Sequence, residues 1–235
     1  MPFERFVVAS SEFSDMTRLS AGLELAEALT DAARQLHGTT TPQDTLRTAV
    51  RLTVDLLPGA DHAGVSEIDR GEGLRTLAWS DDLVRDAASP ELPHRERLWA
   101  SPVVRVAAGD NGLGEGPLAG VGVRSVLSLR LRADKRRLTV LTAYSRDPYA
   151  FDESATRVGR LLTAHVGLAL NSVTVREQLT EAMHTRDLIG QATGILMERL
   201  DIDAVAAFES LVRASQRENV KLRDLARRIV ASTDN

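Results

Sequence analysis

Basic side chains cluster near the C-terminal end of the chain, where they could bind phosphate. Residues 210–230 carry six basic and two acidic side chains, so this window has a net charge of +4. Guanidinium and ammonium groups bind phosphate through charge-assisted hydrogen bonds. A solvated helix face is the ordinary alternative, and charge alone does not decide between the two. The six residues are Arg213, Arg217, Lys221, Arg223, Arg227 and Arg228.

The spacing of these residues favours helix surfaces. Arg213 and Arg217 are four residues apart, and Arg223 and Arg227 repeat that spacing, so each pair shares one helix face. Lys221 and Arg223 fall at the expected beginning of the last helix, where free backbone N–H groups also attract anions. The pattern predicts phosphate binding by two consecutive helices.

Aromatic residues indicate how a nucleic acid would be recognised. Phe208 is the only Phe, Tyr or Trp after residue 176, and its helical position predicts a core side chain. Base stacking on aromatic side chains, common in single-strand binders, is therefore not expected. Recognition of an exposed RNA loop by arginine planes and by polar side chains such as Ser215 and Gln216 stays open.

Residue types that support catalysis or metal binding are scattered. The chain has no cysteine, which excludes a disulfide scaffold, a thiolate metal site and a cysteine nucleophile. No two of the five histidines have the i, i+4 spacing of a metal site on one helix. The glycine-rich segment Gly109–Pro117 lacks the lysine of a phosphate-binding loop. We expect no enzyme activity, metal or cofactor; a site assembled from distant segments is the alternative.

The overall composition argues against a general nucleic-acid coat. The 235 residues carry a net charge of −4, although 27 of the 29 basic residues are arginine. No run of about 18 apolar residues is present, and the first ten residues are too polar and short for a secretory signal. We therefore expect a cytoplasmic protein without membrane contact.

Two helices and then four strands are predicted before residue 152. The first helix has apolar residues from Leu19 to Leu36, and Thr41-Pro42 predicts the capped start of the second. Ala63–Ile68 and Leu74–Trp79 flank a turn and predict a hairpin. Residues 121–132 and 138–144 alternate and predict adjacent antiparallel strands, apolar on one face. The segment 80–120 receives no assignment.

A long helix is predicted from Asp152, a candidate cap, to about Leu200. Steps of three and four residues define a seam in which eight of twelve positions are apolar. A helix of more than 40 residues, about 60 Å, is too long for one small core, so we expect part of it to form a coiled coil with a second chain. Two helices with a break near residues 171–174 are the alternative. The seam contains Val158, Leu161, His165, Leu168, Ser172, Val175, Leu179, Ala182, Arg186, Ile189, Thr193 and Leu196.

Two short helices follow the long one. Asp203 is the expected N-cap of a helix that carries Ala207, Phe208 and Leu211 on one side. Asn219 is the expected N-cap of the last helix. Together with the end of the long helix, these segments predict a compact three-helix unit.

The C-terminal residues resemble an ANTAR domain. The resemblance rests on Ile189–Arg199, then on Ala207-Phe208 with Arg213-Ala214-Ser215, and then on Lys221–Ala226. It implies a three-helix RNA-binding module of bacterial transcription antiterminators, which bind paired hexanucleotide stem-loops in leader RNA, typically as dimers. On this basis the RNA-binding residues are predicted to be Arg213, Ser215, Gln216, Arg217, Lys221, Arg223 and Arg227.

One motif position departs from the family. Thr193 stands where many members carry a basic residue, and the loss of that charge would alter phosphate contact or RNA preference. The small residues on either side, Ala192 and Gly194, are predicted to allow close helix packing.

The preceding region is similar to a GAF domain, a sensory module with a central antiparallel sheet. The resemblance rests on Gly122–Ser128, Thr139–Ser145 and Phe151-Asp152-Glu153. Covalent attachment of a bilin to a cysteine is excluded, because the chain has none. The similarity implies either an unidentified small-molecule signal or a role in dimerisation.

The predicted fold is an α+β GAF-like sensor, an antiparallel sheet with flanking helices, followed by a coiled-coil helix and an all-α ANTAR unit. The predicted boundaries are a tail at 1–17, the sensor at 18–172 and the ANTAR unit at 173–235. The predicted function is antitermination by a homodimer that binds leader stem-loops under sensor control. The alternatives are a dimeric protein-interaction module without RNA binding and a helix-turn-helix DNA-binding regulator.

Overall fold

The computed structural model describes residues 4–71, 73–82, 85, 95–107, 109, 113 and 117–232. The chain divides into two compact units, Met1–Val173 and Thr174–Asn235. We call them the sensor unit and the C-terminal unit. None of the described helices is long and apolar enough to cross a membrane.

Helices α1 (Glu4–His37) and α2 (Pro42–Leu56) open the sensor unit. Helix α1 begins inside the segment that we predicted as an N-terminal tail. The Thr41 side chain accepts a hydrogen bond from the Asp44 N–H, and Pro42 occupies the first turn, as predicted. The apolar sides of α1 and α2 pack together with the first part of helix α5 (Glu153–Leu200).

A five-stranded antiparallel sheet forms the centre of the sensor unit, in the order β2-β1-β5-β4-β3. Its strands are β1 (His62–Asp69), β2 (Gly73–Trp79), β3 (Val103–Ala107), β4 (Ser125–Ala133) and β5 (Arg137–Ser145). The predicted β1–β2 hairpin and the β4–β5 pairing are confirmed. Strand β3 and the short helices α3 (Arg95–Ala100) and α4 (Pro117–Gly120) lie in the segment that received no assignment.

Strands β4 and β5 are buried on both faces, so the prediction of a single apolar face was wrong. Leu127 pairs with Ala143, whereas Val126 pairs with Tyr144, and all four side chains are buried. The face with Leu127 packs against α5, and the face with Tyr144 packs with Leu98 of α3. Burial raises the pKa of Tyr144 to about 12.

Two buried polar residues in the middle of these strands are paired with each other. Ser128 and Thr142 are opposite in the register, and their hydroxyl oxygens lie 3.2 Å apart. This hydrogen bond offsets the cost of placing the two hydroxyl groups in the core.

Helix α5 runs without a break from Glu153 to Leu200, so the alternative of two helices was wrong. Asp152 Oδ1 accepts a hydrogen bond from the Ala155 N–H at 2.7 Å, which confirms its predicted capping role. Val158 at the start of the seam is buried in the sensor core, and Ile189 and Leu196 near its end pack in the C-terminal unit.

Helices α6 (Ala204–Glu218) and α7 (Leu222–Ala231) pack with the end of α5 around Ala192, Leu211, Leu225 and Ala226. The Asp203 side chain caps α6, as predicted. The role predicted for Asn219 was wrong. Asn219 ends α6 in the left-handed conformation (φ 52°, ψ 40°), and Lys221 is the N-cap of α7 without a side-chain capping bond.

Candidate nucleic-acid interface

Most of the predicted phosphate-binding cations are already in ion pairs. Arg213 lies 3.3 Å from Glu209, Arg227 lies 3.2 Å from Asp224, and Arg228 lies 3.0 Å from Glu218. Two of these carboxylates, Glu209 and Asp224, are neighbours on the same helix as the arginine they bind. Within the described chain, Arg217 and Lys221 have no ion-pair partner, and both are exposed.

Arg223 connects the last helix to the long one. Its Nη1 donates a hydrogen bond to Glu181 Oε1 on α5 at 2.6 Å, and its Nε lies 3.9 Å from Asp224. Glu181 is 42 residues away in the sequence. Sequence spacing therefore gave no indication that Arg223 is paired.

An open groove of about 610 Å³ lies at this position, between α5, α6 and α7. We call it the Phe208 groove. This volume is within the range of small-molecule sites. Its lining residues are Gln178, Glu181, Ala182, Thr185, Arg186, Ile189, Phe208 and Arg223.

Phe208 is 44% exposed, so the prediction that it is a core residue was wrong. Its neighbour Ala207 is fully buried and takes the core position of that turn of α6, together with Leu211 one turn later. Helical geometry turns Phe208 by about 100° from Ala207, which places the ring at the edge of the core and at the wall of the groove.

The predicted RNA-binding residues do not all lie on one surface. Arg223 and Arg227 share one side of α7, because they are four residues apart. On α6, Arg213 and Arg217 are turned by roughly 140° and 180° from Phe208, so they lie on the other side of that helix. The structure therefore divides the basic residues between the groove side and the outer side of α6.

Of the two predicted polar positions, Ser215 has a structural partner and Gln216 is exposed. Ser215 is half-buried, and its hydroxyl donates a hydrogen bond to the Val220 carbonyl at 2.7 Å, across the α6–α7 turn. Gln216 is exposed on α6. The Ser215 proton is thus used inside the C-terminal unit, while Gln216 is available to a ligand.

The motif positions around Thr193 differ in their surroundings. Ala192 is fully buried between the three helices, as close packing requires. A Cβ atom at Gly194 would meet nothing within 4 Å, so Gly194 does not serve close packing within the chain as we predicted. The Thr193 hydroxyl donates a hydrogen bond to the Ile189 carbonyl at 2.8 Å.

A stripe of exposed apolar side chains follows the middle of α5. Four of the five residues belong to the predicted seam, Met183 lies next to a seam position, and each is at least 48% exposed. Large apolar side chains in a row on a helix mark an interaction surface. We call this surface the exposed stripe, and it comprises Leu161, Leu168, Val175, Leu179 and Met183.

The sensor unit contains smaller grooves and one partly satisfied histidine. A groove of about 240 Å³ is lined by Arg105, Ser125, Tyr149 and Phe151, among others. His62 Nδ1 lies 2.6 Å from Asp81 Oδ2, whereas its buried Nε2 has no hydrogen-bond partner among the described atoms. No group of three or more described His, Asp or Glu residues could hold a metal ion.

Family models match both units. The model of the GAF domain matches residues 39–171, which is more than half of the chain, and the model of the ANTAR domain matches residues 177–230. No curated protein sequence gives a significant match.

Solved structures with a similar fold include two phytochromes. A bacteriophytochrome of R. palustris is 12% identical, with a TM-score of 0.59 over 74% of this chain and 42% of that one. The photosensory core module of a Stigmatella aurantiaca phytochrome is 16% identical, with a TM-score of 0.58 over 80% of this chain and 44% of that one. The chain spans less than half of either protein. At these identities the likeness shows the fold alone.

The sheet with its flanking helices and the three-helix unit with a basic surface define a sensor-regulator with two domains. The chain belongs to the GAF domain family and carries a C-terminal ANTAR domain, as the sequence resemblance implied. ANTAR domains are RNA-binding antitermination modules, and GAF domains are sensory modules.

Proposed function

We propose that the chain is a bacterial transcription antitermination regulator that binds stem-loop leader RNA through its ANTAR domain, under control of the GAF domain. The observation that carries this proposal is the match of an ANTAR domain to a three-helix unit whose last two helices carry exposed cations. In this proposal the chain has no catalytic role. It acts on nascent RNA, which places it in the bacterial cytoplasm.

The ion pairs of the C-terminal unit are compatible with phosphate binding. Arg213 and Arg227 pair with carboxylates on the surface, and exposed pairs of this kind contribute only about 0–1 kcal/mol. A phosphate can therefore displace the carboxylate at little cost. Arg217 and Lys221 need no displacement, because no described carboxylate pairs with them.

The exposed stripe supports a homodimer. Burying the stripe against a second copy would remove from water the exposed half or so of five large apolar side chains per chain, and each would contribute up to about half of the roughly 1.5–3 kcal/mol of full burial. A dimer presents two ANTAR domains, which fits an RNA with two loops. A signal at the GAF domain would act by changing how the paired α5 helices present these domains.

Removal of single cations should weaken RNA binding. We expect Lys221→Ala and Arg223→Ala each to lower affinity for a two-hairpin RNA with six-nucleotide loops by about 5- to 150-fold, because each removes a charge-assisted contact of about 1–3 kcal/mol. The measurement is fluorescence anisotropy with RNA selected from a library randomised in the loops. The matched control is Arg34→Ala, an exposed arginine of α1 that also has an ion pair.

The salt dependence tests the same surface independently. If four to six phosphates are neutralised, log affinity should fall with log salt with a slope of roughly −3 to −4. Unchanged affinity in both variants together with a flat salt response would contradict RNA binding by these helices. Preference for duplex DNA would favour the helix-turn-helix alternative, and retention of a protein but no RNA would favour the interaction module.

A further inference from the structure

We infer that the Phe208 groove is the subsite for one unstacked base of an RNA loop, with the Phe208 ring as its stacking surface. This inference rests on the proposed function and specifies where one base of that RNA lies. It also assigns an aromatic residue to recognition, although the aromatic content of the C-terminal unit gave no reason to expect stacking.

The Phe208 ring is exposed and lies outside the core of the C-terminal unit. The core of the C-terminal unit is complete without it, since Ala192, Ala207, Leu211 and Ala226 are all almost fully buried. The ring instead lines an open groove of about 610 Å³, a volume within the range of small-molecule sites. Stacking is open to every base, because every base has a π face.

Charged side chains line the groove beside Phe208. Arg186 of α5 and Arg223 of α7 line the groove together with Phe208. A loop nucleotide combines a flat apolar base with a phosphate, and this combination matches a groove lined by an aromatic ring and by cations. Glu181 and Gln178 supply acceptor atoms for the amino and imino groups of a base edge.

The ion pair in the groove has two roles in this arrangement. The Glu181–Arg223 contact holds the guanidinium over the groove in the free protein. The Arg223 side chain is 38% exposed, so it can also donate to a phosphate without leaving Glu181, because a guanidinium has five N–H groups.

A second copy of the chain is the less suitable occupant. The exposed stripe is centred about a quarter of a turn around α5 from the centre of the residues that line the groove, so a helix packed on the stripe would cover only the edge of the groove near Arg186. A protein helix laid in the groove would also bury Glu181, Arg186 and Arg223 together, and burial of charged groups is costly.

The test is a double-mutant cycle that combines a substitution in the full-length protein with a change in the RNA. RNA hairpins are first selected with the wild-type protein from a library randomised in two six-nucleotide loops. Each loop base is then replaced by an abasic nucleotide, and binding is measured with wild-type protein and with Phe208→Leu. We expect one abasic position to cost the wild-type protein about 5- to 150-fold and the variant almost nothing.

Controls separate loss of stacking from loss of fold. Phe208→Tyr keeps the ring and should keep both affinity and the abasic effect. Val205→Ala removes a more exposed apolar side chain from α6, outside the groove, and should leave binding unchanged. Thermal unfolding by circular dichroism should give the same transition for all variants.

The outcomes distinguish this inference from the proposed function. If selection enriches no RNA, RNA binding itself is overturned. If wild-type protein binds RNA and Phe208→Leu shows the full abasic cost at every position, the base subsite is overturned while RNA binding stands. If Phe208→Leu changes only the mass measured by light scattering, the groove belongs to a protein interface and the subsite is again overturned.

Discussion

At the scale of single residues, Gly159 determines how closely α5 approaches the sheet. A Cβ atom at this position would lie 2.6 Å from Leu129 Cδ1, with Leu57 and Leu127 methyl groups within 3.6 Å. Leu129 and Leu127 are both buried, so the Leu129 side chain has little space to move away from an added Cβ atom. Gly190 on the same helix has nothing within 4 Å of its Cβ position.

Gly159→Ala should destabilise the sensor unit despite the better helix propensity of alanine. Alanine gains about 1 kcal/mol in a helix interior, whereas overpacking of a core costs about 1–3 kcal/mol. We expect a net loss of up to about 2 kcal/mol in the free energy of unfolding. Urea titration followed by tryptophan fluorescence measures it, because Trp79 and Trp99 both lie in the sensor unit.

Gly190→Ala is the matched control for Gly159→Ala, because an added Cβ atom at Gly190 meets no other atom within 4 Å. It should raise the free energy of unfolding by about 0.5–1 kcal/mol, since only the helix propensity changes. Urea titration followed by far-ultraviolet circular dichroism detects this gain. If both alanines change stability in the same direction, the close approach of α5 to the sheet at Gly159 is not the cause.

At the scale of elements, the α6–α7 turn shows how one residue type can signal two different helix ends. Asn219 was predicted as an N-cap, since asparagine is favoured there. Asparagine also tolerates the left-handed conformation better than most residues do, and this property is used at the end of α6. The Val220 N–H then donates to the Ser215 carbonyl, and the Ser215 hydroxyl donates to the Val220 carbonyl.

Substitutions at Asn219 separate the two roles. Asn219→Gly should maintain or raise stability, because glycine has no Cβ penalty at positive φ. Asn219→Ser, a good N-cap but a poor left-handed residue, should lower the free energy of unfolding by about 1 kcal/mol. Urea unfolding monitored by circular dichroism gives both values. The opposite order, with serine more stable than glycine, would restore Asn219 as an N-cap.

At the scale of the whole molecule, the two units use helix α5 differently along its length. Val166 and Val173 are buried in or at the edge of the sensor unit, and Ala192 is buried in the C-terminal unit. Between them, Leu179 and Met183 are each 61% exposed. Among the described side chains, none covers Leu179 and Met183 enough to bury them.

Polar substitution of the exposed stripe should dissociate the proposed homodimer. Leu179→Gln with Met183→Gln removes four apolar side chains from a dimer interface, and we expect at least about a 100-fold weaker dimer. Light scattering should then give the mass of one chain where wild-type protein gives the mass of two. Affinity for two-hairpin RNA should fall as well, through loss of avidity.

Val205→Gln is the matched control, since Val205 is exposed on α6 away from the stripe. It should leave both mass and RNA affinity unchanged. A wild-type protein that scatters as one chain at micromolar concentration would contradict the homodimer.

The sequence by itself determined the order of the main elements outside residues 80–120, and it identified both families. Apolar periodicity predicted α2, the β1–β2 hairpin and the unbroken α5, because each pattern depends only on neighbours along the chain. Asp152 and Asp203 were predicted correctly as caps, since an N-cap bonds to an N–H within three residues. The ordered motifs likewise identified the GAF and ANTAR domains.

Only the tertiary structure decided which of these side chains are covered and which are paired. It buried both faces of β4 and β5, because α3 and α4 cover the second face and come from a segment without a periodic pattern. It paired Arg223 with Glu181 and left Phe208 at the groove, since these outcomes depend on how α5, α6 and α7 pack. Periodicity predicts on which face of its own helix or strand a side chain lies. Whether that side chain is exposed depends on which other elements pack against that face.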